Sequence, residues 1–335
     1  MIHIVITTIQ NPTSSVESLW RTSQISGAKM IVIGDEKGPH DWQLKGTECL
    51  DLESQYEMPF VIARHLPVCS YSRKNLGYLL AASRGAACIY ETDDDNAPLD
   101  TWKPRSSQVQ SRSVESGGWI NVYNYFTDQL VWPRGLPLAE ISRAETTSRF
   151  QVGALENRVA PIQQGLVSGS PDVDAIWRLV MDRPLNFESN DSLSLPEGAW
   201  CPFNSQSTWW FPEAYPLMYL PSFVSFRMTD IWRSFVAQRC LWVLGYGLVF
   251  HGPEMFQDRN PHNLMRDFEQ EIPGYLGNDR IREVLETLSL VAGAEEVGNN
   301  CRRCYHALVN AGLIPAQEMK LLDLWLSDLS RVSVF

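Results

Sequence analysis

Cys88-Ile89-Tyr90-Glu91-Thr92-Asp93-Asp94-Asp95-Asn96-Ala97-Pro98 is a short apolar run that stops at three consecutive carboxylates. The run reads as a buried strand, Ala87–Glu91, and the carboxylates stand where it leaves the sheet. Ligands of open α/β sheets collect at the carboxyl ends of strands. Carboxylates packed together repel and raise one another's pKa unless a cation neutralises them. Hard oxygens of this kind suit Mg²⁺ or Mn²⁺ shared with a substrate phosphate. The segment predicts a metal–diphosphate site, against the plainer reading of a solvated acidic turn.

The surroundings of the run set the fold class. Ile2–Thr7 is continuous and rich in β-branched residues, as buried parallel strands are. Ser14–Ser26 reads as a helix, and Ala28–Gly34 as a second buried strand ending at Asp35. Arg73–Ser83 carries Leu76, Leu79 and Leu80 at helical spacing, with Gly85 behind it as a cap. Strands alternating with helices predict an α/β fold, with a mixed, mostly parallel, Rossmann-like sheet covered by helices on both faces. Pro and Gly punctuate the middle of the chain, which reads as β-rich with long loops. A helix is expected from about Thr229 to Leu244, then a strand Leu248–Phe250 ending at His251. Helical spacing returns in Ile281–Ala292, Cys301–Ala311 and Pro315–Leu329. The expected division is a catalytic domain over 1–258, with a donor half 1–118 and an acceptor half 119–258, and a C-terminal helical appendage over 259–335.

Composition excludes several classes. The 335 residues carry 28 Lys plus Arg against 39 Asp plus Glu, a net charge of −11. Such a chain is poorly suited to non-specific nucleic-acid binding or to anionic membranes. An anionic substrate needs local help from a cation or a basic pocket. Seven Cys without framework spacing fit a reducing compartment. Cys301-Arg-Arg-Cys304 with His306 nearby lacks the second pair that a zinc site needs, and reads as a helix or core feature. The start has no basic and long apolar signal pattern, and Leu241–Phe250 is too short to span a bilayer. A complete chain of this kind is expected in the cytoplasm.

Four elements can share one site. The first strand ends in Thr7-Thr8, the second in Asp35 and the third in Asp93-Asp94-Asp95. Asp35 suits a ribose hydroxyl or a base edge. Arg73 and Lys74 open the intervening helix and can face a diphosphate with cationic side chains and free N–H groups. Neither a dinucleotide fingerprint nor a Walker loop follows the first strand. A nucleotide held by metal and acidic strand ends, with no glycine loop, points to nucleotide-sugar chemistry.

Ser72-Arg-Lys-Asn-Leu-Gly-Tyr78 followed by Cys88–Asn96 resembles the STELLO glycosyltransferase-like family, which carries a GT-A-like domain. Val131–Leu138, Gln163–Asp174 and Asp230–Arg239 extend the resemblance in order to about residue 255. A more distant similarity is to the reversibly glycosylated polypeptides, which include UDP-arabinopyranose mutases. The resemblance implies that Asp93 and Asp95 grip Mn²⁺ or Mg²⁺ on the diphosphate of a UDP-sugar or other nucleotide-sugar donor. It sets Asp94 toward the ribose or sugar and makes His251, or more weakly His262, a further metal ligand. Asp230 matches an acidic residue near the acceptor that serves as general base in inverting members; as a plain helix cap it is equally well suited. Asp172 and Asp174 are candidates for sugar hydroxyls. Trp209 and Trp210 are candidates for stacking on a glycan acceptor, although Trp also fills cores. Arg134 matches the region of the mutases' glycosylated arginine. Plant members lack the complete Asp-Asp-Asp run, which this chain keeps, and carry a membrane anchor, so a Golgi lumen location is expected only for an anchor-less fragment. The leading expectation is a metal-dependent glycosyltransferase acting on a hydroxyl acceptor. A nucleotide-sugar mutase and a non-catalytic partner of a polysaccharide-synthesising assembly are the alternatives.

Overall fold

The computed structural model describes residues 1–141, 150–258 and 263–332. The first strands are β1 (Ile2–Thr7), β2 (Lys29–Ile33), β3 (Glu48–Leu50) and β4 (Cys88–Thr92). They lie in the order β3-β2-β1-β4 and all run parallel. Their apolar runs are buried on both faces: Ile4 and Ile6 face one cluster, with Met30 and Tyr90, while Val5 faces the other, with Ile31 and Ile89.

The remaining strands are β5 (Asn96–Pro98), β6 (Gln108–Ser113), β7 (Gly118–Trp119), β8 (Glu156–Val159), β9 (Ile162–Gly169), β10 (Leu193–Leu195), β11 (Ala199–Trp200), β12 (Ser207–Trp210) and β13 (Leu248–Gln257). Beyond β4 the main sheet continues β12-β9-β13-β10-β6-β8, with β5 on β13, while β7 and β11 form a separate pair. β12 runs antiparallel to both β4 and β9, and β13 runs parallel to β9. The sheet is therefore mixed: all parallel from β3 to β4, with parallel and antiparallel pairs interspersed beyond β4.

Helix α1 (Ser14–Ser23) is capped by Thr13, whose side chain accepts from the Val16 N–H. Helix α2 (Lys74–Ser83) presses close on the sheet. A Cβ at Gly77 would stand 2.5 Å from Val5 Cγ1, so only glycine fits that approach. Apart from the single turns Tyr123–Phe126 and Leu138–Ile141, the later helices among the described residues are α3 (Ala175–Val180), α4 (Thr229–Val243), α5 (Leu264–Glu286), α6 (Val297–Asn310) and α7 (Glu318–Val332).

Two expectations change here. The strand predicted to stop at His251 continues to Gln257. Gly252-Pro253 reads as a terminator, but the chain absorbs the proline with register shifts on either side of it. Second, residues 263–332 are not a peripheral appendage. Tyr305, Leu322, Trp325 and Leu329 share one continuous apolar cluster with Val5, Ile89 and Leu241. Cys301 and Cys304 are buried on α6 within that cluster.

Strand register brings one edge of the sheet together. Val5 stands opposite Glu91, so Thr7 comes level with Asp93. Thr7 stands opposite Ile33, so Thr8 and Asp35 leave at the same edge. Ser207 opposes Thr92 on an antiparallel strand, which sets Ser205 and Gln206 beside the carboxylate run. Gly169 opposes Gln257, which carries Ser170–Asp172 to that edge as well.

Candidate active site

A cleft of about 580 Å³ opens along this edge, lined among others by Thr7, Thr8, Asp35, Arg73, Asp93, Asp94, Asp95, Arg134, Asp172, Ser205, Phe226 and Asp230. At one wall the carboxylate run is held by its backbone and by one oxygen of each side chain. Thr13 Oγ1 donates to the Asp94 carbonyl, and Ser15 Oγ to that of Asp95 at 3.3 Å. Asp93 Oδ1 accepts from Tyr71 Oη at 2.7 Å and from Lys74 Nζ at 3.2 Å. Asp94 Oδ2 accepts from Thr8 Oγ1 at 2.5 Å. Asp95 Oδ2 accepts from Gln257 Nε2 at 2.8 Å.

Burial raises the Asp94 carboxyl, and the Asp93 charge adds to it. Burial, reinforced by the Asp93 charge, pushes Asp95 up to about 6. A divalent cation relieves this repulsion. Asp93 Oδ2 and Asp95 Oδ1 lie outside the bonds just described and are hard donors. Among the described residues no group of three or more His, Cys, Asp or Glu is arranged to hold a metal. Two carboxylates therefore suit a cation that completes its oxygen shell from a diphosphate and water, rather than an all-protein cage. Asp93 and Asp95 fit that role.

The opposite wall is built on Arg134. Its Nε and Nη2 donate to Asp172 Oδ1 and Oδ2, each at 2.7 Å, a bidentate pair. Nη2 also reaches Asp230 Oδ1 and Oδ2 at 3.1 Å, and Nη1 donates to the Arg227 carbonyl. Burial would lower the Arg134 pKa, but the Asp172 and Asp230 charges raise it well above the ordinary value. Asp230 opens α4, where the helix N-terminus favours an anion. Its Oδ2 accepts from Ser205 N–H at 3.3 Å and Oγ at 3.2 Å. Burial raises its carboxyl; Arg134, Arg233 and Arg227 outweigh that, and the net shift is downward, so Asp230 stays ionised.

Behind the cleft a buried ion pair ties the two walls. Arg233 Nη2 and Nη1 meet Glu91 Oε1 and Oε2 at 2.7 and 3.0 Å, with Tyr78 and Trp210 also donating to the Glu91 carboxylate. Glu91 lies two residues before Asp93, and Arg233 three after Asp230.

Several sequence expectations are corrected. His251 is buried at 2% exposure, with Nδ1 against Ser192 Oγ at 2.7 Å and Nε2 against Gln163 Oε1 at 2.9 Å. It lies six residues before Gln257 on the same strand; the bulges shorten that stretch to the span of Gly165–Gly169 on β9, which still sets His251 roughly 13 Å along the strand from the residue that contacts Asp95. His251 is thus a hydrogen-bonded core histidine; its pKa falls well below the ordinary value because burial disfavours the charged ring. His262 lies outside the described residues. Trp209 and Trp210 are fully buried on β12, with indole N–H groups on Glu254 and Glu91 at 2.8 and 2.7 Å, and cannot stack on an acceptor. Asp174 is also fully buried. It caps α3 through the Trp177 N–H at 2.7 Å and accepts from Trp132 Nε1 at 2.6 Å, while burial pushes its carboxyl up to about 7. Lys74 spends its three donors on Tyr71 Oη, the Thr92 carbonyl and Asp93, so it braces the carboxylate run instead of facing a diphosphate. Arg73 reaches the cleft wall but directs Nε to Gln55 Oε1 at 2.7 Å and Nη1 to the Leu66 carbonyl at 3.2 Å. Asp35 lines the cleft while accepting the N–H groups of Cys69 and Ser70 at 2.9 Å each, which fixes the loop before α2.

Among the cleft residues that carry no role in the sequence reading are Tyr71, Ser205, Gln257 and Phe226. Phe226 is 56% exposed, with its ring edge-on to Tyr71 at 6.0 Å. Tyr71 directly precedes the Ser72-Arg73-Lys74 segment, which is the one available signal. Ser205 and Gln257 reach the site through contacts more than 100 residues apart in the chain, for which no local pattern exists.

An acidic strand-end cleft with a cation–carboxylate wall opposite marks the class of protein: an α/β sheet whose charged side chains gather at the carboxyl ends of its strands, where ligands of open α/β sheets collect. Comparison with known proteins narrows this. A family model described as STELLO glycosyltransferases matches residues 227–335, which include Asp230 and the helices α5–α7. The Arabidopsis thaliana protein named "Probable glycosyltransferase STELLO1" is 32% identical over 98% of this chain and 44% of its own length. STELLO2 from the same plant is 32% identical over 75% of this chain and 35% of its own. The chain belongs to the STELLO glycosyltransferase family, and it spans less than half the length of these relatives. Among solved structures, glucosyl-3-phosphoglycerate synthase from Mycobacterium tuberculosis, in complex with Mn²⁺, UDP-glucose and phosphoglyceric acid, is similar with a TM-score of 0.42. It is 12% identical, over 83% of this chain and 79% of that one. Among the described residues no helix is long and apolar enough to cross a membrane.

Proposed function

We propose that this chain is a metal-dependent glycosyltransferase of GT-A type that moves a sugar from a nucleoside-diphosphate sugar, UDP-linked, to a hydroxyl of a glycan or similar acceptor, with inversion. The observation that carries the reading is the pair of facing walls in one cleft. Asp93 and Asp95 stand at the end of β4, and Asp230 at the start of α4. Asp93 and Asp95 would hold Mn²⁺ or Mg²⁺. The cation when bound supplies charge stabilisation for the leaving diphosphate. Thr7, Thr8, Asp35 and Arg73 line the nucleoside end, and Asp94 is held by Thr8 toward it.

Asp230 accepts the proton of the acceptor hydroxyl as the new C–O bond forms. Its low pKa keeps it charged and ready to accept a hydrogen bond at neutral pH. The hydroxyl becomes acidic only as bond formation advances, so a weak base suffices late in the step. Arg134, itself held by Asp172, orients Asp230. The mutase reading asks Arg134 to act as a nucleophile. Its nitrogens are committed to Asp172, Asp230 and the Arg227 carbonyl, and its raised pKa keeps it protonated, which speaks against that role.

The test is calorimetry of UDP and UDP-sugars with and without Mn²⁺. We expect Mn²⁺-dependent UDP binding that Asp95→Asn abolishes without loss of folding. Equal affinity in the variant removes the metal site. Absence of donor binding under all conditions leaves only a scaffold role.

A further inference from the structure

Three contacts run in series between the two walls. Tyr71 Oη lies 2.7 Å from Asp93 Oδ1 and 2.7 Å from Ser205 Oγ. Ser205 Oγ lies 3.2 Å from Asp230 Oδ2. Ionised carboxylates only accept, so both ends of the chain are acceptors. Between them stand two hydroxyls and thus two protons for three contacts. One contact is always without a proton.

Two orders satisfy the series best. In one, Tyr71 donates to Asp93, and Ser205 is left to serve either Tyr71 or Asp230. In the other, Tyr71 donates to Ser205, and Ser205 donates to Asp230. Lys74 Nζ, 2.8 Å from Tyr71 Oη and 3.2 Å from Asp93 Oδ1, supplies a proton at that junction when Tyr71 turns away. The middle of the series is buried: Ser205 is 2% exposed, and the Phe226 ring meets the Tyr71 ring in a T-shaped contact at 6.0 Å. Hydrogen bonds in such a setting are stronger and polarise one another.

We infer that Tyr71 and Ser205 are positioning residues that couple the metal-binding carboxylate Asp93 to Asp230. This rests on the assignment of Asp93 as a metal ligand proposed above. A cation on Asp93 makes that carboxylate a poorer acceptor. The Tyr71 proton then turns to Ser205, and the Ser205 proton is directed onto Asp230 Oδ2. No group changes its ionisation; two hydroxyls rotate. Asp230 is thereby oriented when the cation arrives. By linkage, the anionic Asp230 favours the order that frees Asp93 for the cation.

A double-mutant cycle read by Mn²⁺ titration calorimetry at saturating UDP tests this. The chains compared are the unaltered protein, Asp230→Asn, Ser205→Ala and the pair together. Asp230→Asn should weaken Mn²⁺ binding in the unaltered background by about fivefold more than it does in the Ser205→Ala background. A purely coulombic effect of the lost charge would persist in both. Tyr71→Phe, which keeps the ring and removes the hydroxyl, should abolish the difference in the same way and guards against a Ser205 variant that fails to fold. An equal fold-change in all backgrounds overturns the bridge while leaving the metal site standing. Absence of Mn²⁺-dependent UDP binding in the unaltered chain overturns the metal assignment, and the bridge with it.

Discussion

At the scale of single residues, Asp95 carries the clearest consequence. Burial, with the Asp93 charge behind it, raises its carboxyl to about 6 in the folded chain from an ordinary 3.8. The native state therefore holds this proton more tightly than the unfolded chain does. Its contribution to stability is full below about pH 4, falls as pH rises toward 6, and is a standing cost above that. Asp95→Asn removes the cost. The metal-free variant should be more stable than the parent at pH 7.5 by roughly 1–2 kcal/mol, a figure discounted for water in the open cleft. The gain should shrink toward pH 4, as urea midpoints across pH would record. Mn²⁺ competes with the same proton, so its affinity in the parent should rise as pH passes 6. Phe226 offers a second test. It is an exposed ring in a polar cleft, and its apolar face suits the C–H face of a sugar. We expect Phe226→Ala to weaken UDP-sugar binding by about three- to tenfold relative to UDP, and Phe226→Trp to keep it. Parallel losses for both ligands would remove the sugar contact.

At the scale of elements, the two walls are held at a set distance by β4 and α4. Glu91 and Arg233 form their buried clamp, with side chains exposed by 0% and 1%. Burial would lower the Arg233 pKa, but the Glu91 charge raises it above the ordinary value, so Arg233 stays charged. Such a pair adds little net stability compared with an apolar replacement of both partners, but removing one partner strands a charge. Arg233→Ala should therefore destabilise the fold by about 3–5 kcal/mol, whereas Glu91→Leu with Arg233→Met should recover much of that. Urea unfolding of the three chains distinguishes the cases. The recovered double variant still lacks the clamp, so weakened donor binding in a well-folded protein would identify the pair as a spacer of the site. Element boundaries show where local patterns mislead. β4 and α2 were legible from hydrophobic spacing, within a residue or so. β13 was not, because Gly252-Pro253 reads as a stop, and the neighbouring β9 accommodates it through register shifts that only a sheet partner can impose.

At the scale of the whole molecule, the C-terminal helices belong to the core. Glu318 of α7 accepts from the N–H groups of Ser222 and Phe223 and from Tyr219 Oη, and Asp328 accepts from the Ile62 N–H. Trp119 and Trp232 donate their indole N–H groups to Asp279 and Asn278 of α5. A chain ending at residue 258 loses these partners and exposes the apolar faces of α2 and α4. We expect it to bind a hydrophobic dye, to be cut rapidly by protease and to show no cooperative unfolding, in contrast to the full chain. Cooperative unfolding of residues 1–258 would restore the boundary that the sequence suggests.

What was legible in the residues follows from short-range physics. Continuous β-branched runs alternating with helical spacing specify an α/β sheet, and Asp93-Asp94-Asp95 after such a run specifies an acidic strand end, because both depend on neighbours in the chain. The direction of each side chain depends on which elements pack around it. Trp209 and Trp210 are apolar platforms in one environment and core in another; β12 lies in the middle of a sheet covered on both faces, so both are core. Lys74 could face a phosphate or brace a carboxylate; the end of β4, with Tyr71 beside it, leaves room only for the brace. The carboxylates that remain turned to the cleft, and the bridge from Asp93 to Asp230, were decided by strand register and helix docking, since the contacts that close them, Tyr71 to Ser205 and Gln257 to Asp95, join segments more than 100 residues apart.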